Sequence, residues 1–331
     1  MRYLVTGGAG FIGSHLVDAL ASRGDEALIL DDLSTGRRQN VQHLIDSGSV
    51  ELVVGSVLDA GLVDDCMRSV DRCFHLASAV GVQLVIDQPL DTLLANVNGT
   101  QNVLTAAARH DRWTLFTSTS EVYGKQSVTP LTEDSDCLLG PPAVSRWSYA
   151  IAKAFGEAVA QGLHAEGGAQ VVVTRLFNVV GPRQSDRYGM VVPRFVRQAL
   201  AGADLTVFGD GTQMRCFLHV ADAVHALLLL AETEDCSGRV FNVGSTEEVA
   251  IIALAARVME HTQAKSAIRL VPYTEAYGPG FEELGRRRPD TSALEALTGW
   301  QPSRTLDEAI DEVAAYERSL AEQDLNLKLV G

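Results

Sequence analysis

Tyr149 and Lys153 stand four residues apart in "WSYAIAK", the spacing that puts two side chains on one face of a helix. A free phenol titrates near ~10, and an ammonium one turn away favours its ionised form. The pair therefore reads as a general base able to take a proton from a hydroxyl. A second group of polar side chains precedes it. In "FTSTSEVYGK", residues 116–125, an apolar run ends in Ser118, Thr119 and Ser120, followed at once by the carboxylate of Glu121. Ligands of open α/β sheets sit at such strand ends. Glu121 is open at this point between an acid, a base, a positioning group and a solvated loop residue.

A third constellation lies near the N-terminus. "VTGGAGFIGSHLV" spaces Gly7, Gly10 and Gly13 three apart, with a G-x-G-x-x-G from Gly8, after an apolar run and before a helical pattern. Glycine there lets the backbone approach a pyrophosphate, and the helix start offers free N–H groups and the positive end of its dipole. The next apolar run ends at Asp31 in "LILDDLSTG". A carboxylate in that place accepts hydrogen bonds from both ribose hydroxyls and repels a 2′-phosphate. NAD is the expected cofactor, in preference to NADP, although Arg37 and Arg38 lie near. A nicotinamide cation would join Lys153 in favouring the Tyr149 phenolate.

These groups need a scaffold, and the sequence supplies a β-then-α rhythm. "RYLVT", "ALILD", "VELVVG", "RCFHLA", "WTLFTS" and "AQVVVTRLF" read as strands. Helical patterns lie at 11–23, near 60–70, near 88–109 and near 147–166. The fold class is α/β, a Rossmann-type doubly wound parallel sheet. Beyond residue 176 the rhythm loosens into turn-rich stretches, "GPRQSDRYGM", "FGDGTQMRC" and "YTEAYGPGFEELGRRRPD", with "RVFNVG" as a further strand. Residues 1–176, completed by about 213–245, are expected to form the NAD-binding domain. Residues 177–212 and 246–331 would form a smaller mixed α/β lobe for the substrate.

The bulk composition excludes several other classes. Of 331 residues, 46% are hydrophobic and 21% charged, ordinary for a globular protein, and the net charge of −15 argues against a nucleic-acid partner. The five cysteines (Cys66, Cys73, Cys137, Cys216, Cys236) show no metal-ligand spacing, so reduced thiols and no metal are expected. The chain opens on a strand running into the glycine turn, and its longest apolar stretch, "AVHALLLLA", is too short for a bilayer. A cytoplasmic protein without a membrane partner is the expectation. His75 and His219, at strand ends, read as structural hydrogen bonders.

"TGGAGFIG" together with "YAIAK" resembles the extended short-chain dehydrogenase/reductase superfamily. "FNVVGPRQ", "FGDGTQMRCFLHVAD" and "FNVGS" resemble its nucleotide-sugar branch of epimerases, dehydratases and decarboxylases. The resemblance covers roughly residues 1–300. It implies a bound NAD that is reduced and reoxidised within one turnover, and a UDP-sugar in the C-terminal lobe. It places cofactor contacts at Gly7, Gly10, Phe11, Ile12, Gly13, Asp31, Asp32, Ser34, Thr35, Gly36, Leu76, Ala77, Ser78, Tyr149 and Lys153. The branch commonly carries an acidic residue after the glycine that ends the third strand. Here Ser56 stands there, so the adenine contact would fall to Ser56, Val57 and Asp59. Substrate contacts are implied at Glu121, Asn178, Arg183, Val207, Arg215 and Arg287.

Within the branch, dehydratases resemble "STDEVYG", whose Asp expels a hydroxyl. Ser120 takes that place here, and a serine protonates a leaving group poorly. "STSEVYG", and Arg287 two residues before a proline in "RRRPD", most resemble the UDP-glucuronate decarboxylases. That resemblance implies decarboxylation of UDP-glucuronate through a 4-keto sugar, giving UDP-xylose or its 4-keto form. Tyr149, Lys153, Thr119, Ser120, Glu121 and Arg287 would carry the chemistry. Glu121, itself negative, would press on the substrate carboxylate or orient a water or Ser120. A UDP-glucose or UDP-glucuronate 4-epimerase using the same Tyr, Lys and Thr is the alternative. A non-catalytic NAD-sensing protein is a second alternative, weakened by the presence of both Tyr149 and Lys153. The family also implies a homodimer paired through the helices near 88–109 and 147–166.

Overall fold

A computed structural model describes residues 1–79, 88–144, 146–185, 190–277 and 284–330, with side chains up to 323. The expectations at "GPRQSDRYGM" and "YTEAYGPGFEELGRRRPD" therefore lie partly outside the described residues.

The first half alternates as its apolar periodicity requires. Strands β1 (Arg2–Thr6), β2 (Glu26–Asp31), β3 (Val50–Val54), β4 (Arg72–His75), β5 (Trp113–Thr119) and β6 (Val171–Leu176) are separated by helices. The principal ones are α1 (Phe11–Ser22), α2 (Gln42–Asp46), α3 (Ala60–Arg68), α4 (Pro89–Arg109) and α5 (Arg146–Gly167). Strand β7 (Val179–Val180), helix α6 (Val191–Leu200), strands β8 (Leu205–Phe208), β9 (Met214–Cys216) and β10 (Leu218–His219), and helix α7 (Val220–Glu232) lead to β11 (Val240–Val243). The large sheet runs β11-β6-β5-β4-β1-β2-β3, every neighbour parallel. Its strands are apolar on both faces because helices cover both: Leu4, Val5, Ile29, Leu30, Phe74, Leu115 and Phe116 are fully buried.

The chain leaves β1 toward β2 and β3, then returns to place β4 on the other side of β1. That reversal opens a crevice above the carboxyl ends of β1 and β4, where open α/β sheets bind ligands. The rest of the chain builds the opposite wall. Strand β9 pairs with β12 (Glu248–Ala250) and β14 (Arg286–Arg287), and β8 pairs with β13 (Ile268–Val271). Helix α6, helix α8 (Ile251–Thr262) and the start of α11 (Leu306–Val330) pack around Phe195, Leu205, Leu254 and Ile310 as a separate apolar cluster. Between β13 and β14, Tyr273–Tyr277 forms helix α9, and Ser292–Thr298 forms α10 after β14. Strands of two to four residues are too short to show a period, which is why this half reads as turns in sequence. No helix among the described residues is long and apolar enough to cross a membrane.

Candidate active site

A single cavity of about 550 Å³ runs from the glycine turn to the lobe, within the range of small-molecule sites. At its near end Gly7, with φ +72°, lets the chain turn back onto the backbone of Leu76 and Ala77; a Cβ there would lie 2.8 Å from the Ala77 nitrogen. A Cβ on Gly13 would lie 2.1 Å from the Gly7 carbonyl oxygen, so the helix start fits against the turn only as glycine. Helix α1 has no side-chain cap and no acidic residue in its first turn. Phe11, Ile12 and Gly13 line the cavity there, and such an uncapped start favours an anion. Asp31 closes the adenosine side. Its Oδ2 accepts from Ala9 N and its Oδ1 from Leu33 N, both at 2.9 Å. Burial raises its carboxyl, and the two backbone bonds oppose that. Each oxygen keeps a lone pair for a ribose hydroxyl. Asp32, Ser34, Thr35, Ser56, Val57, Leu76, Ala77 and Ser78 also line the wall. The residues present fit a dinucleotide.

At the centre, β5 and α5 bring the reactive groups together. Tyr149 shares hydrogen bonds with the hydroxyls of Ser78 and Thr119. Ser78 Oγ donates to Asn96 Oδ1 on α4 at 2.9 Å, and Asn96 also bonds both backbone groups of Ala79. Lys153 is buried, and its Nζ donates to the Thr117 carbonyl at 2.8 Å. The charge balance differs from the sequence expectation. Burial pushes the Tyr149 phenol above its ordinary value, the Glu121 charge adds to that, and the two hydroxyls oppose it. Burial also pulls Lys153 down to about 7. In the protein alone, desolvation thus outweighs the mutual help of the pair, and the phenolate depends on positive charge arriving with the cofactor.

Beyond Tyr149 the cavity turns strongly basic. Glu121 sits in the 3₁₀ turn Ser120–Tyr123 that ends β5. Its Oε1 accepts from Arg287 Nη1 at 2.5 Å and its Oε2 from Arg146 Nη2 at 3.3 Å. Arg287 Nη1 also donates to Ser120 Oγ at 3.3 Å. Arg287 lies opposite Arg215 in the β14–β9 register, and all three arginines are buried. The β14 end is pinned from below: Leu131 N donates to Arg288 O and Asp290 N to Leu131 O, each at 2.8 Å. The Arg287 Nε is buried without a partner among the described residues.

Burial works to raise the Glu121 carboxyl, but Arg287, Arg146 and Arg215 outweigh it and hold it at about 2. Glu121 is therefore a fixed carboxylate and no proton donor. With both oxygens taken by arginines, any influence it has on a substrate carboxylate passes through those arginines. Because the folded value lies below the ordinary 4.5, its contribution to stability is complete above about pH 4.5 and drains away toward pH 2. The loss is on the order of 3 kcal/mol. Urea denaturation across that range should show the loss in the wild type and its absence in Glu121→Gln.

Several expected contacts lie elsewhere. Arg183, at φ +68°, turns away from the cavity and donates to Asp18 Oδ2 on α1 at 2.6 Å. Val207 is fully buried in the lobe's apolar cluster, and its neighbour Phe208 lines the cavity instead. Gly36 does not reach the wall; it packs on the Asp31 carboxylate, which a Cβ would meet at 2.8 Å. Asp59 caps α3, accepting from Gly61 N and Leu62 N at 3.0 Å. Asn178 does line the cavity, with its Nδ2 donated to Cys216 O. His75 bridges Thr6 and Thr100 behind β4, and His219 caps α7 while touching Glu312. The sequence reading missed Arg146, although it stands three residues before Tyr149 on the same helix face. It also missed Phe208, Tyr273, Tyr277 and Arg194 at the far wall, where the Arg194 guanidinium lies 4.0 Å over the Phe208 ring.

Comparison with known proteins agrees with this geometry. A family model described as the NAD dependent epimerase/dehydratase family matches residues 3–244. The chain is 38% identical over 320 residues to a UDP-N-acetyl-alpha-D-glucosaminuronate decarboxylase of Bacillus cytotoxicus, covering 96% of this chain and 98% of the relative. It is 35% identical over 326 residues to UDP-glucuronic acid decarboxylase 1 of Danio rerio, covering 98% and 75%. Among solved structures, it resembles a UDP-glucuronic acid 4-epimerase of Bacillus cereus, in complex with UDP-glucuronic acid and NAD. That likeness has a TM-score of 0.86 and 26% identity, over 97% of this chain and all of that one.

Proposed function

The chain belongs to the NAD dependent epimerase/dehydratase family, and from that footing we propose that it decarboxylates UDP-glucuronate through a UDP-4-keto sugar to UDP-xylose or UDP-4-keto-xylose. The observation that carries this reading is the cluster Ser120, Glu121, Arg287 and Arg146 beside Tyr149 and Thr119. It offers guanidiniums to a second anion and lacks the acid a dehydratase needs. Decarboxylase relatives at 35–38% identity support the same reading.

NAD, held by the glycine turn and Asp31, supplies oxidation at the sugar's C4 and its later reversal. Tyr149 takes the proton of the 4-hydroxyl, with Thr119 sharing the hydrogen bond to that oxygen. A C4 ketone stands β to the C6 carboxylate, so the C5–C6 electrons can move into it as carbon dioxide leaves. Tyr149 and Thr119 then face an enolate oxygen, and their hydrogen bonds strengthen as its charge grows. C5 is reprotonated through water. Arg287 and Arg146 bind the departing carboxylate through charge-assisted bonds. Since Glu121 already occupies both, the substrate shares them, and a carboxylate held loosely is easier to lose than one held alone.

One relative, matched over 98% of its own length, is named for the 2-acetamido uronate, which makes UDP-N-acetylglucosaminuronate a second candidate substrate. Carbon dioxide release from the two nucleotides, measured side by side as kcat/KM, assigns the substrate: a ratio above about tenfold, or ~1.4 kcal/mol of discrimination, names the preferred one. A 4-epimerase would instead turn UDP-glucuronate into UDP-galacturonate without releasing gas.

The same reading includes a cytoplasmic homodimer. All five cysteines are free and four are buried, which suits a reducing compartment. Helices α4 and α5 pack together and leave Leu90, Leu94 and Phe155 exposed at 62%, 46% and 38%. Light scattering should give about twice the chain mass of 35.5 kDa. Leu94→Glu with Phe155→Glu should bring it back to the monomer value.

A further inference from the structure

Glu157 follows Tyr149 and Lys153 at the same four-residue spacing on α5, yet it forms no part of the cavity wall. It is 8% exposed, with Lys153 at 3% and Arg175 at 7%. The Arg175 fork, from β6, donates to both Glu157 oxygens at 2.7–3.2 Å. Ser118 Oγ donates to the same carboxylate. Ser118 stands between Thr117, whose carbonyl holds Lys153, and Thr119, which bonds Tyr149. One buried carboxylate is thus tied to the helix that carries the Tyr–Lys pair and to the strand that carries its hydroxyl partner. Arg175 is anchored in turn by the Tyr123 hydroxyl at 3.0 Å and Glu133 O at 2.8 Å.

The groups facing Lys153 are few. Helix α5 offers Tyr149 and Glu157, β5 offers the Phe116 ring at 4.9 Å and the Thr117 carbonyl, and β4 offers His75. Burial keeps the phenol protonated and drives His75 down to about 3, hence neutral. Glu157 is the anion among them. We propose that Glu157, clamped by Arg175 and Ser118, is a positioning residue of the catalytic centre that acts through Lys153 and touches neither substrate nor cofactor. The inference rests on the reaction proposed above for its effect on turnover; the link between Glu157 and Lys153 does not. Burial disfavours the Lys153 ammonium, and Glu157 opposes that. Arg175 supplies the opposite charge that a buried carboxylate requires, 2.7 Å away.

The chain has four lysines, Lys125, Lys153, Lys265 and Lys328, so ¹³C labelling at the lysine ε-carbon gives few signals, with Lys153 assigned by its loss in Lys153→Met. The measurement is the Lys153 titration midpoint in NAD-loaded protein. Glu157→Gln keeps the Ser118 contact and removes the charge, and should lower the midpoint by about one pH unit or more. It also leaves the Arg175 charge buried alone, which endangers folding. Glu157→Gln/Arg175→Met, with neither charge, is therefore measured beside it and should shift the midpoint in the same direction. The alkaline limb of kcat should move down with the midpoint. A midpoint within about 0.3 unit of wild type in the folded variant overturns the proposal, because a merely structural pair would leave the lysine titration in place. If the midpoint falls but no uronate ever releases carbon dioxide, Glu157 keeps its role and the reaction reading fails. If gas is released and the midpoint holds, the positioning inference alone fails.

Discussion

Tyr149→Phe lowers kcat by roughly 10³–10⁴-fold, toward the upper end of what one general acid–base residue contributes, while the protein keeps its NAD. The ring is retained, so the packing of α5 against β5 is undisturbed. What disappears is the hydroxyl that bonds Ser78 and Thr119, and with it the acceptor for the sugar's proton. Lys153 cannot substitute, because its Nζ is spent on the Thr117 carbonyl. The cofactor cradle at Gly7–Gly13 and Asp31 owes little to this hydroxyl. The two measurements are cofactor content, read from the absorbance of the denatured supernatant, and initial rate. Full NAD content with a collapsed rate is the expected pair; a rate near wild type removes Tyr149 from the role.

Arg287→Met has the second largest effect, a loss of roughly 10²–10⁴-fold in kcat/KM. Truncating one member of a buried, hydrogen-bonded charge pair costs about 3–5 kcal/mol, and here the lost guanidinium serves two carboxylates, that of Glu121 and that of the substrate. Its Nη1 holds Glu121 and Ser120. Arg146, at 3.3 Å from Glu121, retains part of the field but not the fork. Adding Glu121→Gln separates the two services. The double variant should stay as inactive as Arg287→Met alone. Recovery of kcat/KM in the double variant would show that Arg287 matters only as the partner of Glu121.

Much of the scaffold was legible because its signals are local. Runs such as "LILD" and "TLFTS" are apolar on both faces, which only a covered parallel sheet tolerates. The glycine turn, Asp31 at a strand end, and Tyr149 with Lys153 on one helix face are each set by spacing within a few residues. The misses depend on distant contacts. Arg183 is claimed by Asp18, 165 residues away, and nothing beside it in sequence announces that. Val207 and Phe208 are neighbours on β8, and a register one residue off exchanges the buried face for the cavity face. Asp59 was needed as a helix cap before it could serve a ligand. The charge of Lys153 depends on burial, which spacing does not report. Arg146 was within reach: the i, i+3 relation to Tyr149 places it on the reactive face, and only its ion pair with Glu121 shows what it is for.

The central claim is that oxidising C4 of this sugar makes its C5–C6 bond break. It is tested most directly by following UDP-glucuronate labelled with ¹³C at C6, mixed with NAD-loaded protein, by ¹³C NMR. The account predicts that the carboxylate signal gives way to that of bicarbonate, all of the label leaving the sugar. A carboxylate signal that persists, or that only shifts to the galacturonate position, contradicts it.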